Sequence, residues 1–246
     1  GSDFSASLIA SLADIGRVTI WTDVEGVFNA DPNKINDAKL LKSMSLAEAD
    51  RLAKLGSPVL HSRTLQPLFN TEVSLAVRSS YASHTDFTLI APQSSSASAP
   101  VVTSLNEVVL FSFKATADVD PLLALLGQAG LTPLAYWSLA QHKYELAFTL
   151  ESQKQVHALL SRQALALGIE ELQVQTDLGL VALVSADAEL YRKSFARLLS
   201  RDAKPVYQDG LSLVTLVPQG QVSLLTQKVH RRCAGPRMRI GVLLLG

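Results

Sequence analysis

The sequence is poor in the residues that staple small proteins or anchor them to membranes. It has one cysteine, Cys233, in 246 residues, which excludes an internal disulfide and any zinc site built on cysteine pairs. That usage agrees with a reducing, cytoplasmic setting. Charge is sparse and balanced, with 18% charged residues and 22 Lys and Arg against 22 Asp and Glu. A balance of zero leaves no basic footprint for nucleic acid or an anionic bilayer. Apolar runs end after a few residues, as in Val242-Leu243-Leu244-Leu245, far below the roughly 20 needed to span a membrane. The five histidines are scattered, with no i, i+4 pair, so no metal site is expected. What remains is 48% hydrophobic, a globular composition long enough for one or two domains at roughly 100–200 residues each.

Neither end reads as a natural terminus. Gly1-Ser2-Asp3-Phe4 leads directly into the helical stretch 6–12, with no initiator Met and no signal-peptide n-region. Arg239 to Gly246 has the pattern of a buried strand arriving at a glycine. The expectation is a piece of a longer polypeptide.

Residues 17–24 are rich in β-formers and run into a loop, Glu25 to Asn33, punctuated by Gly26 and Asp31-Pro32. Ser45 with Glu48 forms a capping box ahead of an apolar face at Ala49, Leu52, Ala53 and Leu55, and Gly56 stops that helix. Leu75 to Arg78 reads as another strand. The polar, low-complexity stretch 91–100 offers nothing to bury and marks a linker.

Beyond it the pattern repeats. Strand 107–113, helix 119–129, strands 131–139 and 142–150, helix 151–167 and strand 169–176 form a βαββαβ series. A second series starts at 179–185 and continues with helix 188–200, strands 204–208 and 211–217, and helix 220–233. Two copies of one unit are implied, each a small sheet with helices on one face. The second copy lacks a closing strand. Residues 100–104 are expected to supply it and interlock the copies, although 239–245 is an alternative.

Several motifs carry a resemblance. Gly1-Ser2-Asp3, the segment Trp21 to Val27, Ala30-Asp31-Pro32 and Leu60-His61-Ser62-Arg63-Thr64-Leu65-Gln66-Pro67 resemble, in order and spacing, the second half of an aspartokinase catalytic domain. The wording is nearest to the methionine-branch bifunctional aspartokinase/homoserine dehydrogenases (type II), and the resemblance covers the whole chain. It implies an α/β fold: the C-terminal part of an amino-acid-kinase-like domain over residues 1–90, a linker at 91–100, and two ferredoxin-like (ACT, βαββαβ) α+β units over 101–238. Residues 239–246 would begin a dinucleotide-binding, homoserine dehydrogenase-like domain.

The implied activity is phosphorylation of the L-aspartate side-chain carboxylate with MgATP, a reaction that asks for positioning and charge neutralisation. NADP(H) or NAD(H) would serve the dehydrogenase domain, and this stretch alone would be catalytically incomplete. By the resemblance Ser2 and Asp3 are the catalytic-side pair, at a helix start suited to an anion. Thr22, Asp23, Phe28, Asn33 and Pro58 lie at nucleotide-binding positions. Phe28 replaces the usual Tyr, Asn33 an Arg, and Pro58 a Lys. The last two changes remove cations that would face phosphates, and such charge-assisted contacts are about twice as strong as neutral ones. The turns at 114–121 and 185–188 lack the small-residue pattern of an amino-acid effector site, so such a site is expected to be weak or absent. The units would form a homodimer or higher homo-oligomer through their sheet edges. The rival reading is a non-catalytic amino-acid-binding or dimerisation module with a degenerate kinase half.

Other conspicuous residues have structural readings. His61 is expected beside a helix or loop and Cys233 as an inert thiol. Lys228, Arg231, Arg232, Arg237 and Arg239 are expected at a solvated helix end, and Tyr136 and Trp137 in a core or dimer contact.

Overall fold

The computed structural model describes residues 1–13, 15–57, 59–82, 86–93, 99–116, 118–140 and 142–235. Its first part contains α1 (Ser2–Leu12), β1 (Arg17–Thr22), β2 (Ser43–Ser45), α2 (Leu46–Lys54), α3 (Ser62–Leu65), β3 (Ser74–Ser79) and β4 (Thr88–Ala91). These strands form a sheet in the order β1-β3-β4-β2, in which β1 and β3 run parallel, as do β2 and β4. The capping box is formed: Glu48 N–H donates to Ser45 Oγ at 3.2 Å and Ser45 N–H returns a bond to Glu48 Oε2 at 3.0 Å. Two stranded stretches, β2 and β4, are too short to announce themselves by alternation.

The second part contains β5 (Val101–Lys114), α4 (Val119–Gln128), β6 (Ala135–Leu139), β7 (Lys143–Thr149), α5 (Gln153–Leu167), β8 (Glu170–Val184), α6 (Ala188–Ala196), β9 (Tyr207–Gln208), β10 (Ser212–Pro218) and α7 (Val222–Val229). The strands make one sheet ordered β6-β7-β5-β8-β10-β9. Two long strands at its centre explain the repeat. Val108–Lys114 of β5 pairs with β7, whereas Val101–Leu105 pairs with Val184–Leu180 of β8. The segment ahead of the first series therefore lies beside the strand that opens the second.

Four strand and helix expectations change. Residues 169–176 and 179–185 are not separate strands, because Asp177, at φ 58°, makes an irregularity and the ladder continues past it. For the same reason 100–104 and 107–113 fuse into β5. The strand expected at 204–208 reduces to Tyr207–Gln208: Lys204 N–H still donates to Leu216 O of β10, but Pro205, which has no N–H, interrupts the ladder between Lys204 and Tyr207. The helix expected at 188–200 ends at Ala196 and tightens into short turns at Leu198 and Leu199. The strand expected at 239–245 lies outside the described residues, as do His84, Arg237, Arg239 and the middle of the linker.

Alternation along β5 sorts its side chains to two faces. Val109, Phe111 and Phe113 point to a core shared with Leu122 and Leu126 of α4 and Val156 and Leu160 of α5. A neighbouring core joins Leu183 and Leu213 to Phe195 of α6 and Val222 of α7. On the opposite face, Leu110, Ala147, Leu180 and Val214 belong to one core with Leu52, Leu55 and Leu65. The six-stranded sheet is thus sandwiched, with four helices on one face and the first part of the chain on the other. Fully burying each such side chain is worth about 1.5–3 kcal/mol. Phe111 and Phe148 add an edge-to-face contact at 6.1 Å.

Candidate functional site

The helix α1 packs against β1 and α3, and the chain turns back from it directly into β1. At 1.5 Å per residue the helix covers about 16 Å, comparable with the roughly 20 Å of β1. Ser2 and Asp3 open this helix. Both are exposed, and Ser2 Oγ donates to Asp3 Oδ1 at 3.2 Å.

That strand end is held firmly. The Thr22 carbonyl accepts Ser80 N–H at 2.7 Å and Ser80 Oγ–H at 2.9 Å, and Thr22 Oγ1 donates to Asp23 Oδ1 at 3.0 Å. The Asp23 carboxylate stands exposed. Beside it the Arg78 guanidinium lies 4.2 Å from the Phe87 ring centre and 5.7 Å from that of Trp21. Carboxyl ends of parallel strands are the usual ligand edge of open α/β sheets.

Phe28 is half-buried at the base of the next loop, where it bridges to Leu40. Asn33 is at the loop tip, exposed, in a turn set by Asp31: Asn33 N–H donates to Asp31 Oδ1, and the N–H groups of Lys34 and Ile35 to Asp31 O. The structure thus shows two local pairs, Ser2–Asp3 at the start of α1 and Thr22–Asp23 at the end of β1. It turns the tip carrying Asn33 toward β5 and α7, where Lys34, Ile35, Gly56, Leu105, Asn106 and Thr226 line a cleft of about 320 Å³. Pro58 lies outside the described residues.

His61 caps α3, its Nδ1 accepting Arg63 N–H at 3.3 Å. Cys233 is half-buried and its thiol is pushed up by burial. Lys228, Arg231 and Arg232 are exposed. Trp137 is a core residue whose Nε1–H donates to Pro205 O at 2.9 Å, and the Tyr136 ring packs on Tyr207. Among the described residues no group of three or more His, Cys, Asp or Glu is placed to hold a metal ion, and no helix is long and apolar enough to cross a membrane.

Sequence reasoning missed the joint between the two sheets. Arg51 of α2, in a face that composition marks as polar, is only 12% exposed. It pairs with Asp209 at 2.6 Å, and it donates from Nε to Ser212 Oγ and from Nη2 to Leu134 O. Burial lowers its pKa, against the raising effect of Asp209. Asn29 is buried with its side chain bonded at both ends, to Lys39 N–H and Ala234 O. Nothing in the local pattern separates these two from ordinary surface and turn residues.

Residues 1–79 match the amino acid kinase family. Across its whole length the chain is 36% identical to bifunctional aspartokinase/homoserine dehydrogenase 2 of Escherichia coli (strain K12), of which it spans about a third, 32%. A stretch of 80 residues, 32% of this chain and 18% of the relative, is 40% identical to lysine-sensitive aspartokinase 3 of the same organism. In fold, 94% of this chain superposes on 55% of E. coli aspartokinase III, solved with aspartate and ADP, at a TM-score of 0.78 and 22% identity. Over its full length the chain is thus similar in sequence to a bifunctional aspartokinase/homoserine dehydrogenase, and it shares the fold of an aspartokinase structure.

Proposed function

We propose that this chain is the C-terminal part of an aspartate kinase domain joined to a paired regulatory region, within a bifunctional aspartokinase/homoserine dehydrogenase. The whole protein would phosphorylate the side-chain carboxylate of L-aspartate with MgATP in the cytoplasm. Its dehydrogenase part would use NADP(H) or NAD(H) to reduce aspartate semialdehyde, on the route to threonine and methionine. Residues 1–90 would be kinase, 101–238 two interlocked ACT-like units, and 239–246 the start of the dehydrogenase domain.

The observation that carries this reading is the Thr22–Asp23 pair at the C-terminal end of the parallel strand β1. An exposed carboxylate at a parallel strand end suits the hydrogen-bond donors of a ribose or a base, with Thr22 holding its orientation. The N–H groups that open α1 suit the anionic aspartate, and Asp3 would position rather than attack. Phe28 would contribute its ring beside the nucleotide. Asn33 and Pro58 would offer no charge to phosphates. The role of the two units in regulation and in a homodimer or higher homo-oligomer follows from the same reading, with ATP, Mg²⁺ and L-aspartate as ligands of the whole protein.

The test is aspartate-dependent ADP release by the longer polypeptide that includes this stretch. Turnover is expected, with Asp23→Ala raising the KM for ATP more than it lowers kcat. A folded polypeptide that releases no ADP overturns the proposal and leaves the non-catalytic module.

A further inference from the structure

The turn between β8 and α6 opens a nine-residue helix that lacks a side-chain cap of its own. Two of its three amides are satisfied locally: Asp187 N–H by Ser185 Oγ and Ala188 N–H by Ser185 O. The third, on Ala186, donates at 2.9 Å to Glu48 Oε1, 138 residues earlier in the chain. Glu48 is 2% exposed, and its other oxygen, Oε2, accepts both the N–H and the hydroxyl of Ser45. One carboxylate therefore closes the start of α2 and the start of α6 at once.

We propose that Glu48 acts as an intramolecular carboxylate cap of the β8–α6 turn and so clamps α2 to the second unit, coupling their motions. The charge chemistry supports it. A buried carboxylate is tolerated where it accepts several hydrogen bonds, and a negative charge is favoured at a helix start. Arg51, one turn further along α2, secures the same joint by reaching Leu134 O in the first unit and Asp209 and Ser212 in the second. Helix α2 thereby touches both units through two side chains. A shift of either unit must either carry α2 with it or break these bonds.

Amide hydrogen exchange on the whole chain tests this. Glu48→Gln keeps the shape but has one acceptor oxygen in place of two, so it cannot accept the Ser45 N–H and the Ala186 N–H on separate oxygens as the carboxylate does. Exchange at Ala186 is expected to rise about tenfold or more, the weight of a lost charge-assisted hydrogen bond. Amides of Leu183 and Val214 should stay protected. Glu48→Asp, shorter by one methylene, should give the same result and serves if the Gln variant folds poorly. Ser45→Ala should spare the Ala186 amide. Unchanged exchange at Ala186 in both Glu48 variants, or Ser45→Ala exposing Ala186 as strongly, would each overturn the proposal.

Discussion

The Asn29 side chain donates to the Ala234 carbonyl at 3.0 Å, across 205 residues of sequence. At its other end Asn29 Oδ1 accepts Lys39 N–H at 2.7 Å, and the Asn29 carbonyl accepts Val102 N–H at 2.9 Å. One buried residue thus fastens the loop after β1 to the first residues of β5 and to the π-helical turn 230–234. Asn29→Ala leaves Lys39 N–H and the Ala234 carbonyl, both part-buried, without these partners, and an unmade hydrogen bond of a buried group costs about 1–3 kcal/mol. A loss of roughly 2–4 kcal/mol is expected in urea unfolding, with faster proteolysis near residue 234.

Arg51→Met tests the joint from the kinase side. It keeps the apolar stem and removes the guanidinium, leaving Asp209 and Leu134 O facing a thioether. The pair is part-buried, so the loss should fall short of the roughly 3–5 kcal/mol of a fully buried one. Arg51→Lys should recover only a fraction, because an ammonium cannot reproduce the fork that reaches three partners. Thermal unfolding of the two variants checks the order.

Gly56 ends α2 at φ 86°, a region that favours glycine, and a Cβ there would collide with the Leu105 side chain. Gly56→Ala is expected to destabilise by about 2 kcal/mol or more, the left-handed backbone alone accounting for roughly 1–2. In the pair with Leu105→Ala the collision disappears and the backbone penalty stays. A double-mutant cycle should therefore return a favourable coupling.

His230 is 3% exposed and its Nε2 has no hydrogen-bond partner. Burial lowers its pKa from the ordinary 6.5, with Asp37 acting in the opposite direction. The unfolded chain therefore binds the proton first as pH falls. Stability should be intact above 6.5 and decline as pH drops from there toward the folded value. His230→Gln should flatten that part of the profile; an unchanged slope in chemical denaturation would remove His230 as its cause.

The Tyr207 hydroxyl behaves oppositely at the alkaline end. Burial, with Asp209 adding to it, pushes its pKa up to about 12. The stability tied to the protonated hydroxyl is present below 10 and is lost as pH rises through about 12. Ultraviolet titration of tyrosinate should show one late-ionising group that Tyr207→Phe abolishes.

Much of the architecture follows from local rules. The Ser45–Glu48 box, the stop at Gly56 and the helices of the two series are set by spacing within a few residues, and sequence carries such spacing directly. Fusion of strands at Asp177 is a different matter, since whether a polar residue turns the chain or bulges it depends on the neighbouring ladder. The strand-end pair Thr22-Asp23 was readable because strand and loop signals meet there. Arg51, Glu48 as a ligand of Ala186, and Asn29 were not, because each takes its partners from segments far away in sequence.

Because β5 begins beside Val184 and ends beside Lys143, the physical modules do not coincide with the linear repeats. A cut just after residue 106 would leave the first series with its own strands and strip the second of an edge it borrows. Any inheritance, truncation or transplant of this region that respects the repeat boundaries would break the protein, whereas one that starts ahead of Val101 carries both halves intact.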